Sequence, residues 1–130
     1  MNYSWQRQVI LDAIQNCKRH MTAAEVYNEA IKACPRLSLG TVYRNLNTLV
    51  DIGSIRRVGV PGEADRFDWE LPAHQHFFCH ICKKVENLPI NNDKLHGLLT
   101  GCDGIRVENY QLLVTGVCAE CTATGATPSL

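Results

Sequence analysis

The sequence contains no apolar run that approaches the ~20 residues a membrane-spanning helix requires. Residues 1–7 also lack the apolar core of a secretory signal, and no low-complexity tract indicates disorder. We therefore expect a cytoplasmic protein with no membrane partner. Because thiols stay reduced in the cytosol, paired cysteines there are more often metal sites than disulfides.

Net charge is also absent, since 13 Lys and Arg residues balance 13 Asp and Glu residues. This balance hides an asymmetry between the two halves of the chain. Residues 1–60 carry eight basic and four acidic side chains, whereas residues 61–130 carry five and nine. The distribution favours a module that binds a polyanion, followed by a module that binds metal.

The strongest motif is a pair of Cys-x-x-Cys clips, Cys79/Cys82 and Cys118/Cys121. Four thiolates in two short clips are what a tetrahedral structural Zn²⁺ site requires. The 35 residues between the clips can form a small folded unit, which the metal would close. Two disulfides or four unrelated core cysteines are the alternatives. The other cysteines, expected to be small buried hydrophobes, are Cys17, Cys34 and Cys102.

Three helices and a β-hairpin are predicted in the first half of the chain. Apolar residues recur at helical spacing from Ser4 to Cys17, and Thr22-Ala-Ala-Glu25 is a capping box that starts a helix ending at Cys34-Pro35. Ser38 can cap a third helix that stops at Gly53. Two strands then follow at 55–60 and 66–70, with a turn between them. This order is typical of a winged helix-turn-helix, whose third helix enters the major groove of DNA.

The exposed face of the third helix is expected to contact double-stranded DNA. Arg and Asn side chains suit bidentate contacts with guanine and adenine edges, and Tyr can contact a thymine methyl group. The residues expected on that face are Thr41, Tyr43, Arg44, Asn45 and Thr48. Those expected to hold phosphates are Arg7, Lys18, Arg19, Arg56 and Arg57. Solvated polar faces without a ligand are the alternative.

A second set of metal donors precedes the first zinc clip. His74-Gln75-His76 places two imidazoles on one side of an extended segment, and Asp68 lies on the returning wing strand. Such a mixed nitrogen and oxygen site suits Fe²⁺, Mn²⁺ or Zn²⁺ rather than Cu⁺.

The segment between the clips is predicted as a strand at 83–88, a helix at 91–100 and a long β-rich run at 105–114. Its sheet edge is the expected surface of a homodimer, because DNA readers of this kind usually bind palindromes as dimers. The predicted fold is α+β. A winged-helix domain (1–71) and a hinge carrying metal ligands (72–77) are followed by a small α/β dimerisation domain with a structural zinc site made of the four clip cysteines (78–130).

Enzymatic alternatives are a thiol oxidoreductase at the clips and a hydrolytic metal centre at the histidines. A reactive thiol of the first kind belongs at a helix N-terminus, whereas Cys82 runs into a predicted strand. A hydrolase needs a general base, and the sequence offers no convincing candidate. We therefore expect no enzyme, and no small-molecule substrate apart from metal ions. A thiol-based redox switch at the zinc cysteines is a further alternative.

Several motifs together resemble the ferric uptake regulator family of metal-dependent transcriptional repressors. The resemblance covers about residues 5 to 121. The motifs that carry it are Gln6-Arg7, His20-Met-Thr-Ala-Ala-Glu-Val-Tyr27, Leu39-Gly-Thr-Val-Tyr-Arg-Asn-Leu46, Arg66-Phe-Asp68, His74-Gln-His76-Phe-Phe-Cys79-His-Ile-Cys82 and Gly116-Val-Cys118-Ala-Glu-Cys121.

The resemblance implies structural zinc at the four clip cysteines and base contacts from Tyr43 and Arg44. It also implies a regulatory Fe²⁺ or Mn²⁺ site that bridges the two domains and closes the dimer onto operator DNA. Its ligands would be His20, Asp68, His74 and His76. The family's last ligand is a carboxylate five residues after the second zinc cysteine, and here that position is Asn87. An amide oxygen binds these ions more weakly, so Glu86 or water could substitute.

Within the family, three positions resemble the peroxide-responsive branch more than the iron-responsive one. Asp68 replaces a Glu, Val117 replaces a His that is a metal ligand in many iron-responsive members, and Gln75 replaces an acidic residue found in some of them. In the peroxide-responsive branch, bound Fe²⁺ reacts with H₂O₂ and a histidine ligand is oxidised. The candidates here are His20 and His74. An iron-responsive regulator of iron acquisition genes is the alternative.

Overall fold

A computed structural model describes residues 3–72 and 74–125. The chain divides into two compact units, Met1–Pro72 and Ala73–Leu130. The first unit contains α1 (Tyr3–Cys17), β1 (Met21–Thr22), α2 (Ala23–Ala33), α3 (Leu39–Asp51), β2 (Arg56–Val58) and β3 (Arg66–Asp68). The second contains β4 (Gln75–Cys79), β5 (Val85–Leu88), α4 (Asn92–Leu99), β6 (Leu113–Gly116) and α5 (Ala119–Ala123). The predicted α+β class is confirmed.

The helices of the first unit begin at the predicted caps. Thr22 Oγ1 accepts a hydrogen bond from the Glu25 amide at 3.2 Å, and Glu25 Oε1 accepts one from the Thr22 amide at 3.0 Å. This reciprocal pair is the capping box of α2. Ser38 caps α3 by accepting from the Thr41 amide at 3.1 Å. After α3 the chain turns at Gly53, whose φ of +79° favours glycine.

The wing is a three-stranded antiparallel sheet in the order β1-β3-β2. Strand β1, which the sequence did not predict, pairs Met21 with Phe67 on β3. Two residues are too short a strand for any apolar alternation to be visible in the sequence. The strand matters because it places Met21 in the helical core. The largest apolar side chains buried in that core are Phe67, Ile10, Ile14, Met21, Leu46, Leu49, Ile55, Val26 and Val42.

The second unit contains a sheet in the order β5-β4-β6. Its central strand, β4, is antiparallel to β5 and parallel to β6. A parallel pair requires a crossover connection, and the segment that includes α4 supplies it. The strand–helix–strand insert between the cysteine clips is therefore present as predicted.

Three details of the second unit differ from prediction. Within the described residues, the β-rich run 105–114 forms a strand only at Leu113–Gly116, because pairing with β4 starts at His76 and Leu113. Residues 75–77, predicted to belong to the connecting segment 72–77, instead begin β4. Cys102 is exposed in the turns that follow α4, so its predicted burial is wrong, whereas Cys34 is buried and Cys17 half-buried.

No helix among the described residues combines the length and apolarity needed to cross a bilayer.

Candidate metal centres and nucleic-acid interface

The four clip cysteines converge at one end of the second unit. Cys79 ends β4, Cys82 lies in the following turn, and Cys118 is the N-cap of α5, which carries Cys121. Their sulfur atoms all lie within 4.8 Å of one another. Backbone amides support this arrangement, because the Cys118 amide donates to Cys79 Sγ at 3.4 Å and the Cys121 amide donates to Cys118 Sγ at 3.4 Å. Four converging thiols fit a tetrahedral structural zinc site.

The thiols of this cluster differ in their readiness to ionise. Burial raises the pKa of Cys79, but hydrogen bonds from three backbone amides outweigh it and lower the pKa to about 6. The pKa of Cys121 rises to about 12, mainly because of its hydrogen bond with the Cys118 side chain. For Cys82, a backbone hydrogen bond from Lys84 lowers the pKa, but desolvation and the thiols of Cys79 and Cys118 outweigh it, so the pKa is raised overall. The four thiols can therefore all ionise together only when a cation compensates their negative charge. A metal ion that binds to them must displace the protons that the thiols still carry.

In the first unit, the structure pairs His20 with Asp68. His20 Nε2 lies 3.3 Å from Asp68 Oδ2, and both side chains are almost fully buried. The other carboxylate oxygen, Oδ1, accepts a hydrogen bond from the Glu70 amide at 3.0 Å. The His20 ring also lies against Trp69, with 5.4 Å between ring centroids. The contacts place one imidazole nitrogen and one carboxylate oxygen side by side, a donor pair suited to a divalent metal.

The second unit brings His74 and His76 together, with 4.5 Å between their ring centroids. His76 lies on the central strand β4, directly opposite Asn87 on β5 and Leu113 on β6. Directly paired residues project from the same face of a sheet, so Asn87 shares the face of His76. Each unit thus presents a preformed group of the donors predicted from the sequence.

The exposed side of α3 carries Thr41, Tyr43 and Arg44. Tyr43 is 48% exposed. Arg44 Nη2 donates to Thr41 Oγ1 at 2.8 Å, and Ser38 Oγ bonds the same hydroxyl at 2.9 Å. This chain of contacts limits the rotamers of Arg44 before any ligand binds, which lowers the entropy lost on binding. The geometry suits a guanidinium presented to a base edge.

Asn45 is not on that face, contrary to prediction. It is only 4% exposed and its Nδ2 donates to the Thr41 carbonyl at 2.9 Å. Asn45 lies three residues after Val42 and four before Leu49, and all three belong to the buried side of α3. This burial and hydrogen bond place Asn45 in the packing of the helix.

Arg57, predicted to hold phosphate, is instead engaged within the first unit. Its Nη2 donates to Asn47 Oδ1 on α3 at 2.6 Å, and its Nη1 pairs with Asp65 Oδ2 at 3.2 Å. The guanidinium also lies 5.3 Å from the centroid of the Phe67 ring. Sequence reasoning missed Asn47, because a contact between α3 and β2 leaves no local pattern. Arg57 thus ties the wing to α3.

Replacing Arg57 by glutamine is expected to weaken DNA binding by about tenfold, or 1.4 kcal/mol, without changing its salt dependence. The reason is that Asn47 and Asp65 hold the Arg57 guanidinium within the first unit, so we expect its loss to disturb the position of the wing without removing a phosphate contact. The slope of log affinity against log salt is negative, and each lost phosphate contact makes it less steep by about 0.9. Affinity would be measured across a salt series on a duplex that the wild-type protein selects from a random-sequence pool.

The matched control for this measurement is Arg56→Gln. Arg56 is the adjacent residue of β2 and its side chain is exposed. If Arg56 contacts phosphate, its variant makes the slope less steep by about 0.9. A similar loss of steepness for Arg57→Gln would show that Arg57 leaves its partners to bind phosphate.

The remaining residues predicted to hold phosphates are placed differently from one another. Arg19 and Arg56 are exposed, and Lys18 lies in the turn after α1. Arg7 is half-buried on α1, and its Nε has no hydrogen-bond partner among the described residues. A buried guanidinium nitrogen of this kind is available to a ligand only if the side chain moves.

A sequence model of the Ferric uptake regulator family matches residues 1–114. The chain is 30% identical over 118 residues to the peroxide operon regulator of Bacillus subtilis, a match that covers 90% of this chain and 81% of that protein. It is 29% identical over 121 residues to the peroxide-responsive repressor PerR of Staphylococcus epidermidis, covering 92% and 81%. Matches of this length include both units.

Solved structures share the fold. The Campylobacter jejuni peroxide stress regulator has a TM-score of 0.76 at 28% identity, covering 92% of this chain and 90% of that one. The Helicobacter pylori ferric uptake regulator has a TM-score of 0.81 at 18% identity, covering 94% and 82%. The second similarity concerns the fold alone.

Proposed function

Because this chain belongs to the ferric uptake regulator family, we propose that it represses transcription as a homodimer that binds operator DNA when metal is bound. The family consists of metal-responsive transcription regulators. The exposed Tyr43 and Arg44 on α3 would read base edges, and the wing would follow the backbone. The restrained side chain of Arg44 is the observation in the first unit that supports this role.

The regulatory ion in this proposal is Fe²⁺ or Mn²⁺, and the clip cysteines hold Zn²⁺. The regulatory ligands would be His20, Asp68, His74 and His76, with Asn87 as a weaker fifth donor. An ion that draws on donors of both units restricts their relative movement. If the ion binds the DNA-competent state more tightly, it raises the population of that state. The preformed pairs, His20 with Asp68 and His74 with His76, support the proposal.

We further propose that the signal is peroxide. The relatives described above include two peroxide regulators, and Asp68 and Val117 stand where iron-responsive members often have Glu and His. Gln75, at a position that is acidic in some iron-responsive members, is buried, and its Oε1 accepts a hydrogen bond from the Leu112 amide at 2.7 Å. Gln75 therefore joins β4 to the segment before β6 and has a structural task.

Bound Fe²⁺ would catalyse cleavage of the O–O bond of H₂O₂ with no net loss of electrons from the ion, so that the imidazole ring is the group oxidised. The imidazole of His20 or His74 would gain one oxygen atom at a ring carbon, and the other oxygen of the peroxide would leave as water. An oxidised ring is a poorer donor, so the site would lose affinity for metal and the dimer would release DNA. Contacts with Asp68 and Trp69 hold the His20 ring in one place, which would favour oxidation at a single site.

The test loads the protein with Fe²⁺ or Mn²⁺, adds H₂O₂, and measures DNA binding together with peptide masses. We expect one added oxygen on the peptide of His20 or His74, and loss of DNA binding, only in the Fe²⁺ form. The Mn²⁺ form is the control because Mn²⁺ does not reduce H₂O₂ in this way. An Fe²⁺ form that keeps both its mass and its DNA binding would favour the iron-responsive alternative.

A further inference from the structure

Asn87 occupies the position on β5 that faces His76. We propose that this amide makes the regulatory site discriminate against Mn²⁺, in favour of ions that bind imidazole well, such as Fe²⁺ and Co²⁺. The inference rests on the proposed regulatory site. It concerns which ion that site accepts.

The position of Asn87 follows from strand pairing. In an antiparallel pair, directly opposed residues have Cβ atoms about 5 Å apart on one face of the sheet. His74 lies two residues before His76, and its ring is 4.5 Å from that of His76. An ion held by these two rings is therefore within reach of the Asn87 side chain.

The family resemblance implies a carboxylate ligand at the position of Asn87, and the residues that pair with His76 on the neighbouring strands supply no other carboxylate in its place. Glu86, the substitute suggested by the sequence, pairs with Phe77 and so projects from the opposite face. Its Oε2 also lies 3.5 Å from Lys84 Nζ. On the other side of β4, the residue opposite His76 is the apolar Leu113. Within the described part of the sheet, the residues paired with His76 thus offer an ion one neutral amide and no negative charge.

The donor set then contains three imidazoles, one amide and a single carboxylate, that of Asp68. An anionic carboxylate oxygen attracts Mn²⁺ more strongly than the neutral oxygen of an amide does, whereas imidazole suits Fe²⁺, Zn²⁺ and related ions. Affinity for a given site also rises from Mn²⁺ through Fe²⁺ to Co²⁺. Loss of one anionic oxygen therefore removes a larger share of the binding free energy of Mn²⁺ than of the later ions.

The test is the variant Asn87→Asp, prepared with zinc retained in the cysteine cluster. Mn²⁺ and Co²⁺ affinities would be measured by competition with a chelating indicator. We expect the Mn²⁺ affinity to rise by about tenfold or more, a size typical of changes around metal ligands. The Co²⁺ affinity should rise clearly less, so that the ratio of the two affinities shifts toward Mn²⁺.

The matched control is Asn109→Asp, which adds the same charge at an exposed position of the second unit. It should leave both affinities unchanged. An equal rise for both ions, or no rise, in Asn87→Asp would overturn the proposal. A parallel titration of His74→Ala separates this result from failure of the site itself, because loss of Co²⁺ binding in that variant shows that the proposed site exists.

Discussion

Replacement of Cys118 by serine is expected to abolish zinc binding and to unfold the second unit. Cys118 is 2% exposed, caps α5, and accepts the Cys121 amide. Structural zinc contributes about 10–16 kcal/mol in small zinc-dependent domains, whereas whole domains are stable by only about 5–15 kcal/mol. Loss of zinc therefore removes an amount of free energy comparable to the whole stability of the second unit, which should unfold. The homodimer should then dissociate, because the expected dimer surface belongs to that unit.

Zinc content by elemental analysis, circular dichroism and sedimentation velocity would measure the effect of Cys118→Ser. Cys102→Ser is the control, because Cys102 is exposed and outside the cluster. It should keep zinc, fold and assembly. A Cys118→Ser protein that is folded and dimeric without zinc would show that the cysteine cluster has no structural role.

The variant His74→Ala is expected to lose metal-dependent operator binding while keeping its structural zinc. Removing His74 leaves His76 and a neutral amide as the donors of the second unit. We expect metal affinity to fall by about 100-fold or more, the upper end of the effects seen for residues around metal sites. The measurement is a titration of DNA binding with Mn²⁺ or Fe²⁺, together with the zinc content.

His96→Ala provides the comparison for this variant. His96 is an exposed histidine on α4, with its ring 6.2 Å from that of Tyr110. Its loss should not affect the metal dependence of DNA binding. If His74→Ala retained metal-dependent binding at wild-type ion concentrations, His74 would not be a ligand, and the proposed regulatory site would be wrong.

The parts of the fold that could be predicted depend on local signals. The capping box at Thr22 and the cap at Ser38 act within one helical turn, so a short stretch of sequence contains all of the information. The cysteine spacing is equally informative, because two residues between thiols suit one metal regardless of the surrounding fold. The same holds for His74 and His76, which are two residues apart in an extended segment.

The parts that could not be predicted depend on partners distant in sequence. Asn45 is polar, yet a hydrogen bond to the Thr41 carbonyl allows it to be buried. Residues 105–111 have strand-like composition but are paired with no strand within the described residues, and β propensity acts mainly through such neighbours. The contact of Arg57 with Asn47 depends on how the wing packs on α3. In each case tertiary packing decided the outcome.

The parallel pairing of β4 with β6 has a consequence for the speed of folding. Cys79 at the end of β4 and Cys118 just after β6 meet across 39 positions of the chain. Long-range closure slows folding because chain entropy is lost before the sheet contributes contacts. A zinc ion bound first by Cys79 and Cys82 would then bind Cys118 and Cys121, and this would bring β6 next to β4 and nucleate the sheet. Zinc supply would then set how quickly newly made chains become competent sensors, independently of the regulatory ion.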